Sequence, residues 1–360
     1  MVRYYGCDAH KRYSVFNWVD ESGHRGHPVR VEHDRILFRS YVESLPAGTP
    51  IAVETLGNWY WLIEEMEKAG HDPHLTHAGK AKLMMGQINK TDKLDATGLA
   101  VLLRNGTLPR VWIPPEGLRD KRELPRMRMM LVGMRTQLKN RIHATLAKYA
   151  IQIDEPTDIF GVRGREVLAT RLEELPPYTR VSAEMELRLL DQVGEQIESC
   201  EKQIAEVVET TPEMKLLMTL PGVGMILTVV IALEIGDVER FGSGERLASY
   251  AGTVPRIISS GGKTRHGKTR ADVNRYLKWA FVEAANVIVR SRARHPDSHV
   301  VRLYVRIRER KGHAKAAVAV ARHLAEAAYW VLKKKESYRD PQFPDSTSST
   351  RKETRTTHEN

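Results

Sequence analysis

The chain has 360 residues, 28% charged and 41% hydrophobic, enough for two or three domains with their own cores. No apolar run reaches the ~18–20 residues that cross a bilayer, the N-terminus lacks the apolar stretch of a secretory signal, and two distant cysteines, Cys7 and Cys200, argue against a disulfide scaffold or a cysteine zinc site. The net charge of +11 is uneven: residues 259–335 carry 19 Lys and Arg against 5 Asp and Glu, a surplus of 14, which favours a phosphate-neutralising surface over a merely solvated basic face or a membrane-surface helix.

Residues 2–8, 13–20 and 28–32 are rich in β-formers and predict an opening three-stranded meander. A helix is expected over 34–45, a short apolar strand over 51–54, an amphipathic helix over 59–70, a strand near 71–77, and a helix over 91–106 capped by Thr91 and stopped at Asn105-Gly106. This strand-strand-strand-helix-strand-helix-strand-helix order is that of a ribonuclease H-like α/β domain, assigned to residues 1–110. Residues 116–150 and 182–209 each carry one apolar seam at steps of three and four and predict long helices. The stretch between them reads as irregular, broken again by Pro176-Pro177, and 111–212 is expected to form a helical, coiled-coil arm. A mostly helical domain is expected over 213–335, followed by a disordered tail over 336–360.

Four acids fall where such a fold converges them. Asp8 closes the first strand, Glu54 ends the fourth, and Asp92 and Asp95 lie three apart in the first turn of the last helix, projecting from one face. Clustered like charges repel, and two Mg²⁺ ions would relieve the repulsion while stabilising the attacking and leaving oxygens of a phosphodiester. Taken singly, Asp92 and Asp95 would also suit the helix dipole, Asp8 a turn and Glu54 a strand end; it is the joint placement that points to metal.

Residues 259–281 combine two serines and a glycine pair with Lys263, Arg265, His266, Lys268, Arg270, Arg275 and Lys278, a composition suited to gripping phosphates, where a serine hydroxyl could attack a phosphodiester. Residues 262–269 also match the nucleotide-binding pattern G-x-x-x-x-G-K-T, but neither a buried hydrophobic strand before it nor a strand ending in Asp after it accompanies the match. Leu220-Pro-Gly-Val-Gly224 reads equally as a helix-hairpin-helix turn or a plain helix corner. His71, His74 and His77 at steps of three within a strand would alternate faces, which disfavours a metal site.

Taken in order, Gly6-Cys-Asp8-Ala-His-Lys11, Ala52-Val-Glu54-Thr-Leu-Gly57, Lys90-Thr-Asp92-Lys-Leu-Asp95-Ala96, Leu220-Pro-Gly-Val-Gly224 and Tyr250-Ala-Gly-Thr-Val-Pro255 running into Ser-Ser-Gly-Gly262 resemble the DEDD-type insertion-sequence transposases, the bridge-RNA-guided recombinases. The resemblance implies a RuvC-like N-terminal domain, a coiled-coil linker and a C-terminal transposase domain. It implies Mg²⁺ at Asp8, Glu54, Asp92 and Asp95, and Ser260 as nucleophile, with adjacent Ser259 as the fallback. It further implies donor and target DNA, a noncoding bridge RNA, a homo-oligomer (dimer or tetramer) and a bacterial cytoplasmic, nucleoid-associated setting. His10 and Leu56 depart from the residues common at their places in that family. The alternatives are a Holliday-junction-type metal endonuclease that hydrolyses DNA with water, a non-catalytic nucleic-acid-binding protein and a nucleotide-hydrolysing enzyme.

Overall fold

The computed structural model describes residues 1–86, 91–269 and 272–341. The chain divides into two compact units, Met1–Glu116 and Gly117–Asn360.

The first unit is a five-stranded mixed sheet. Strands β1 (Arg3–Ala9), β2 (Tyr13–Asp20) and β3 (Val29–Glu32) form the antiparallel meander. Helix α1 (Arg35–Glu43) leads to β4 (Pro50–Glu54), which pairs parallel to β1, and helix α2 (Trp59–Lys68) leads to β5 (Asp72–Thr76), parallel to β4. The order is β3-β2-β1-β4-β5. Alternation decides the faces. Tyr5, Cys7, Ile51 and Val53 point into a core with Phe38, Val42, Leu62 and Met66 of α1 and α2. Ala52 packs on the opposite side, with helices α3 (Ala78–Met85) and α4 (Asp92–Arg104) through Ala81, Leu99 and Leu103. Helix α3 was not expected: only Ala81 on it is buried, so it shows almost no amphipathic stripe. The mixed sheet with these flanking helices is the ribonuclease H-like arrangement that the element order predicts.

The second unit is mostly helical. Short α5 (Glu116–Lys121) precedes the long α6 (Glu123–Lys148), and α7 (Val162–Leu172) precedes the long α8 (Pro177–Val207). Helix α7 corrects the irregular reading of that stretch; it holds on through Gly164, Leu168 and Leu172, too few positions to register as a periodic pattern. Pro176 and Pro177 start α8 rather than merely break the chain, proline being well suited to a first turn. Helices α6 and α8 run antiparallel, tied by Arg128–Glu201 and Arg141–Glu186 ion pairs. The buried stripe on α8 is Ala183, Glu186, Leu190, Val193, Ile197, Cys200 and Ile204. Met185 and Leu189, expected in the seam, are exposed, and Glu186 takes a seam position because Arg141 neutralises it.

Helices α9 (Pro212–Leu217), α10 (Met225–Ile235) and α11 (Gly244–Tyr250) precede a hairpin of β6 (Pro255–Ser260) and β7 (Lys263–Thr269); α12 (Arg275–Ser291), α13 (His299–Lys311) and α14 (His313–Lys334) close the body around Leu277, Phe281, Val320 and Leu324. Residues 336–341, at the start of the expected tail, are held to this body. The Tyr338 amide donates to Thr219 Oγ1 (2.8 Å), and Asp340 accepts from the His299 amide (2.7 Å). The tail from 342 to 360 lies outside the described residues. No helix among the described residues is long and apolar enough to cross a membrane.

Candidate active site

The acidic site grows from one register. Cys7 pairs with Val53 across the parallel β1 and β4, so the next step sets Asp8 beside Glu54 at the carboxyl ends of both strands. Both acids share the face of Gly6 and Ala52, the face that α4 covers. Gly6 has no side chain, and α4 lies directly on it: a β-carbon there would be 1.9 Å from the Ala96 carbonyl oxygen. Thr91 caps α4 by accepting from the Leu94 amide, and Thr97 Oγ1 accepts from Asn17 Nδ2 of β2 at 2.8 Å within the core. Seated this way, the first turn of α4 delivers Asp92 and Asp95 to the strand ends.

Asp8 is 6% exposed. Burial pushes its carboxyl up to about 7; His10 pulls it down, and the negative charges of Glu54, Asp95 and Asp92 push it up further. All four predicted acids therefore lie within electrostatic reach of one another's site. The tightest group, however, includes a residue that sequence reasoning set aside. Ligand atoms of Asp8, His10 and Asp92 all lie within 4.8 Å of one another, while Glu54 and Asp95 stand outside that trio. His10 Nε2 is 3.2 Å from Asp8 Oδ2 and 3.2 Å from Asp92 Oδ2. Tyr13 donates its hydroxyl to Asp92 Oδ2 (3.0 Å) and stacks its ring 4.6 Å from that of His10. The signal for both was local: they flank the tight β1–β2 turn that follows Asp8. Asn58 Nδ2 donates to the His10 carbonyl (2.9 Å), and a cleft of about 430 Å³ lined by Ala9, His10, Leu56 and Asn58 opens beside it.

Asp8 Oδ2 and His10 Nε2 are buried without a hydrogen-bond partner, close together but not aligned for a hydrogen bond. A buried carboxylate oxygen without a hydrogen bond beside further carboxylates is costly unless a cation takes it up, so this donor set fits a divalent metal. Cys7 is not available for chemistry, since burial pushes its thiol up to about 12. His71, His74 and His77 serve locally: His71 Nε2 meets the Val42 carbonyl, His74 pairs with Asp72, and His77 caps α3.

The serine segment is a β-hairpin, not a phosphate-wrapping loop. Ser260 pairs with Lys263 across Gly261 and Gly262, whose φ angles of 55° and 74° make the tight two-residue turn. Residues 263–269 of the lookalike nucleotide motif thus form the extended strand β7 rather than a phosphate-binding loop. Ser259 and Ser260 are exposed, as are Lys263, Arg265, Lys268 and Arg275. Ser259 Oγ is 3.4 Å from Thr264 Oγ1, and Lys278 Nζ donates to Thr269 Oγ1 at 2.7 Å, fastening β7 to α12. Arg270 and the side chain of His266 lie outside the described residues, as does Lys90 of the acidic motif. A buried hub that the sequence did not reveal anchors the start of α12. Glu234 of α10 accepts from Arg126 of α6 (2.7 Å) and from Asn274 (2.8 Å), which caps α12.

A family model described as "Transposase", of the DEDD type, matches residues 5–151, and a second, "Transposase IS116/IS110/IS902 family", matches residues 214–300. The chain belongs to the IS110 family of DEDD-type transposases. Across nearly its full length this transposase is 25% identical to a probable family 20 transposase of Pseudomonas aeruginosa, covering 93% of the chain and 98% of the relative. It is 26% identical to the transposase for insertion sequence element IS1111A of Coxiella burnetii, over 94% and 92% of the two chains. It is 27% identical to the transposase for insertion sequence element IS1328 of Yersinia enterocolitica, over 72% and 76%. Transposases of this kind cut and rejoin DNA, so DNA is the substrate and the enzyme is a recombinase.

Proposed function

We propose that this transposase moves an insertion sequence by attacking DNA with Ser260, assisted by two Mg²⁺ ions at Asp8, Glu54, Asp92 and Asp95. The observation that carries the reading is the buried Asp8 Oδ2, without a hydrogen bond, at the meeting point of two strand ends and α4. Divalent cations there would stabilise charge on the attacking and leaving oxygens of a phosphodiester. Ser260 Oγ loses its proton and bonds to phosphorus as the deoxyribose oxygen leaves and is protonated to a free hydroxyl. Attack by a hydroxyl from the exchanged strand reverses the step, reseals the DNA and restores the serine. Lys263, Arg265, Lys268 and Arg275, with His266, Arg270 and Lys278, hold the phosphate backbone and favour the developing charge.

The exposed cations suit backbone contacts rather than base readout, which fits a division of labour in which a bridge RNA pairs with both donor and target DNA. The family resemblance supports that RNA, a dimer or tetramer, and a nucleoid-associated setting. Residues 1–110 act as the RuvC-like metal domain, 111–212 as a coiled-coil arm and 213–335 as the transposase domain. The test is a single-turnover reaction on element-end DNA with RNA transcribed from the flanks, trapped by denaturation. Mass spectrometry should find DNA on Ser260. Cleavage without an adduct in the wild type replaces this mechanism with water-driven hydrolysis by a junction-type endonuclease.

A further inference from the structure

We propose that His10 is a nitrogen ligand of the metal held between Asp8 and Asp92, and that it biases this site toward Mn²⁺ over Mg²⁺. The proposal rests on the metal-site reading above and adds a donor to it. Three observations carry it. His10 Nε2 is equidistant, at 3.2 Å, from Asp8 Oδ2 and Asp92 Oδ2, so one nitrogen and two oxygens face a common point. Both His10 Nε2 and Asp8 Oδ2 are buried without a hydrogen-bond partner, although Asp8 itself is 6% exposed. The His10 backbone is also fixed, and its ring has an aromatic neighbour. The His10 amide donates to the Tyr13 carbonyl (2.8 Å), its carbonyl accepts from Asn58, and the Tyr13 ring lies 4.6 Å from the imidazole, tilted by 37°.

The chemistry of the donors sets the preference. Mg²⁺ demands a near-ideal octahedron of oxygens and gives up water reluctantly. Mn²⁺ accepts the same carboxylates and geometry but tolerates imidazole better. A site of two carboxylates and one imidazole keeps the oxygen-rich character needed for phosphodiester chemistry while adding a donor that Mg²⁺ uses poorly. A serine at this position would offer only an oxygen and no such bias.

The experiment is Mn²⁺ binding to the full-length protein, followed by electron paramagnetic resonance, with Mg²⁺ competition and electron spin echo envelope modulation on the bound ion. In the wild type, the bound Mn²⁺ should show ¹⁴N modulation and a clear affinity advantage over Mg²⁺. In His10→Ser the modulation should vanish and Mn²⁺ affinity should fall by at least about tenfold, the scale on which a lost site partner acts, with Mg²⁺ affinity nearly unchanged. Wild-type Mn²⁺ without nitrogen modulation, or His10→Ser weakening both metals equally, overturns the proposal and leaves the acidic site standing. Wild-type-like Mn²⁺ binding by Asp8→Asn overturns the acidic site itself, and the His10 inference with it. Unchanged circular dichroism and melting of His10→Ser show that the comparison is between folded proteins.

Discussion

Gly6 and Ala96 are in backbone contact, for the space a β-carbon on Gly6 would occupy is already filled by the Ala96 carbonyl oxygen and the Ala100 amide nitrogen. Helix α4 carries two of the four acids, so this contact fixes where they meet the other two. Gly6→Ala must push the helix off the sheet. We expect a loss of more than about 4 kcal/mol or failure to fold, read by urea unfolding, with loss of metal binding in any folded fraction. A variant that folds and binds metal like the wild type would show that α4 does not seat on Gly6.

Each acid is expected to be dispensable for folding and required for strand cleavage. Asp8→Asn removes a buried charge from a cluster of like charges, so the metal-free variant should melt at or above the wild-type temperature. The stabilisation that added Mg²⁺ or Mn²⁺ gives the wild type should be absent. Asp92→Asn, Glu54→Gln and Asp95→Asn should abolish recombination with DNA binding retained. Near-normal recombination by any two of these four variants contradicts the metal site.

Ser260→Ala should bind nucleic acid and metal normally and form no covalent adduct, because a methyl group cannot attack phosphorus. Persistence of the adduct makes Ser259 the nucleophile, and persistence in the double variant ends the serine mechanism. Both serines are exposed on β6, so the substitution opens no core cavity, which thermal melts check directly.

Binding to DNA should weaken steeply with salt. Each phosphate contact contributes roughly 0.7–0.9 to the slope of log affinity against log salt, so the Lys263→Ala, Arg265→Ala double variant should lower the slope by about 1.5. An unchanged slope, measured by fluorescence anisotropy across ionic strength, would remove the hairpin from the DNA surface.

Two buried glutamates separate stability from chemistry. Glu234→Ala leaves the Arg122 and Arg126 guanidinium groups without their common carboxylate and should cost about 3–5 kcal/mol; a loss below 1 kcal/mol on the same scale would deny the hub its role. Glu65, wholly buried, is held below the ordinary carboxylate range by the Arg39 guanidinium. A lowered folded-state value contributes stability that is present above the unfolded-state value and lost as pH falls through the folded one. The stability gap between wild type and Glu65→Gln should therefore be open at neutral pH and close under acid conditions. A gap that does not vary with pH would assign the Glu65 contribution to packing alone.

Much of the N-terminal domain could be read locally. Thr91 as a cap and Asp92 and Asp95 three apart follow from helix geometry, and strands ending at Asp8 and Glu54 follow from β-rich runs stopped by polar turns. These signals depend on neighbours within a few residues, which is where the chain's conformational preferences act. The hairpin of Ser260 carries no strand signal in the sequence, because the exposed Ile257 and Ile258 show no alternation against a core.

What the sequence determined by itself was the strands and most of the helices of the N-terminal domain, the two long helices after it, the acids at the element ends and the basic C-terminal third. The tertiary structure decided which side chains meet. His10 looked like a departure from a family pattern until α4 brought Asp92 to within 3.2 Å of it, and Glu234 looked like an ordinary acid at the end of an apolar helix until Arg126, 108 positions earlier, closed over it. Both partnerships join residues far apart in the chain, and for Glu234, whose side chain is buried, the free energy that selects the pairing is the cost of leaving a charge buried and unpaired. That cost arises only once packing has removed the water, so no local pattern records it.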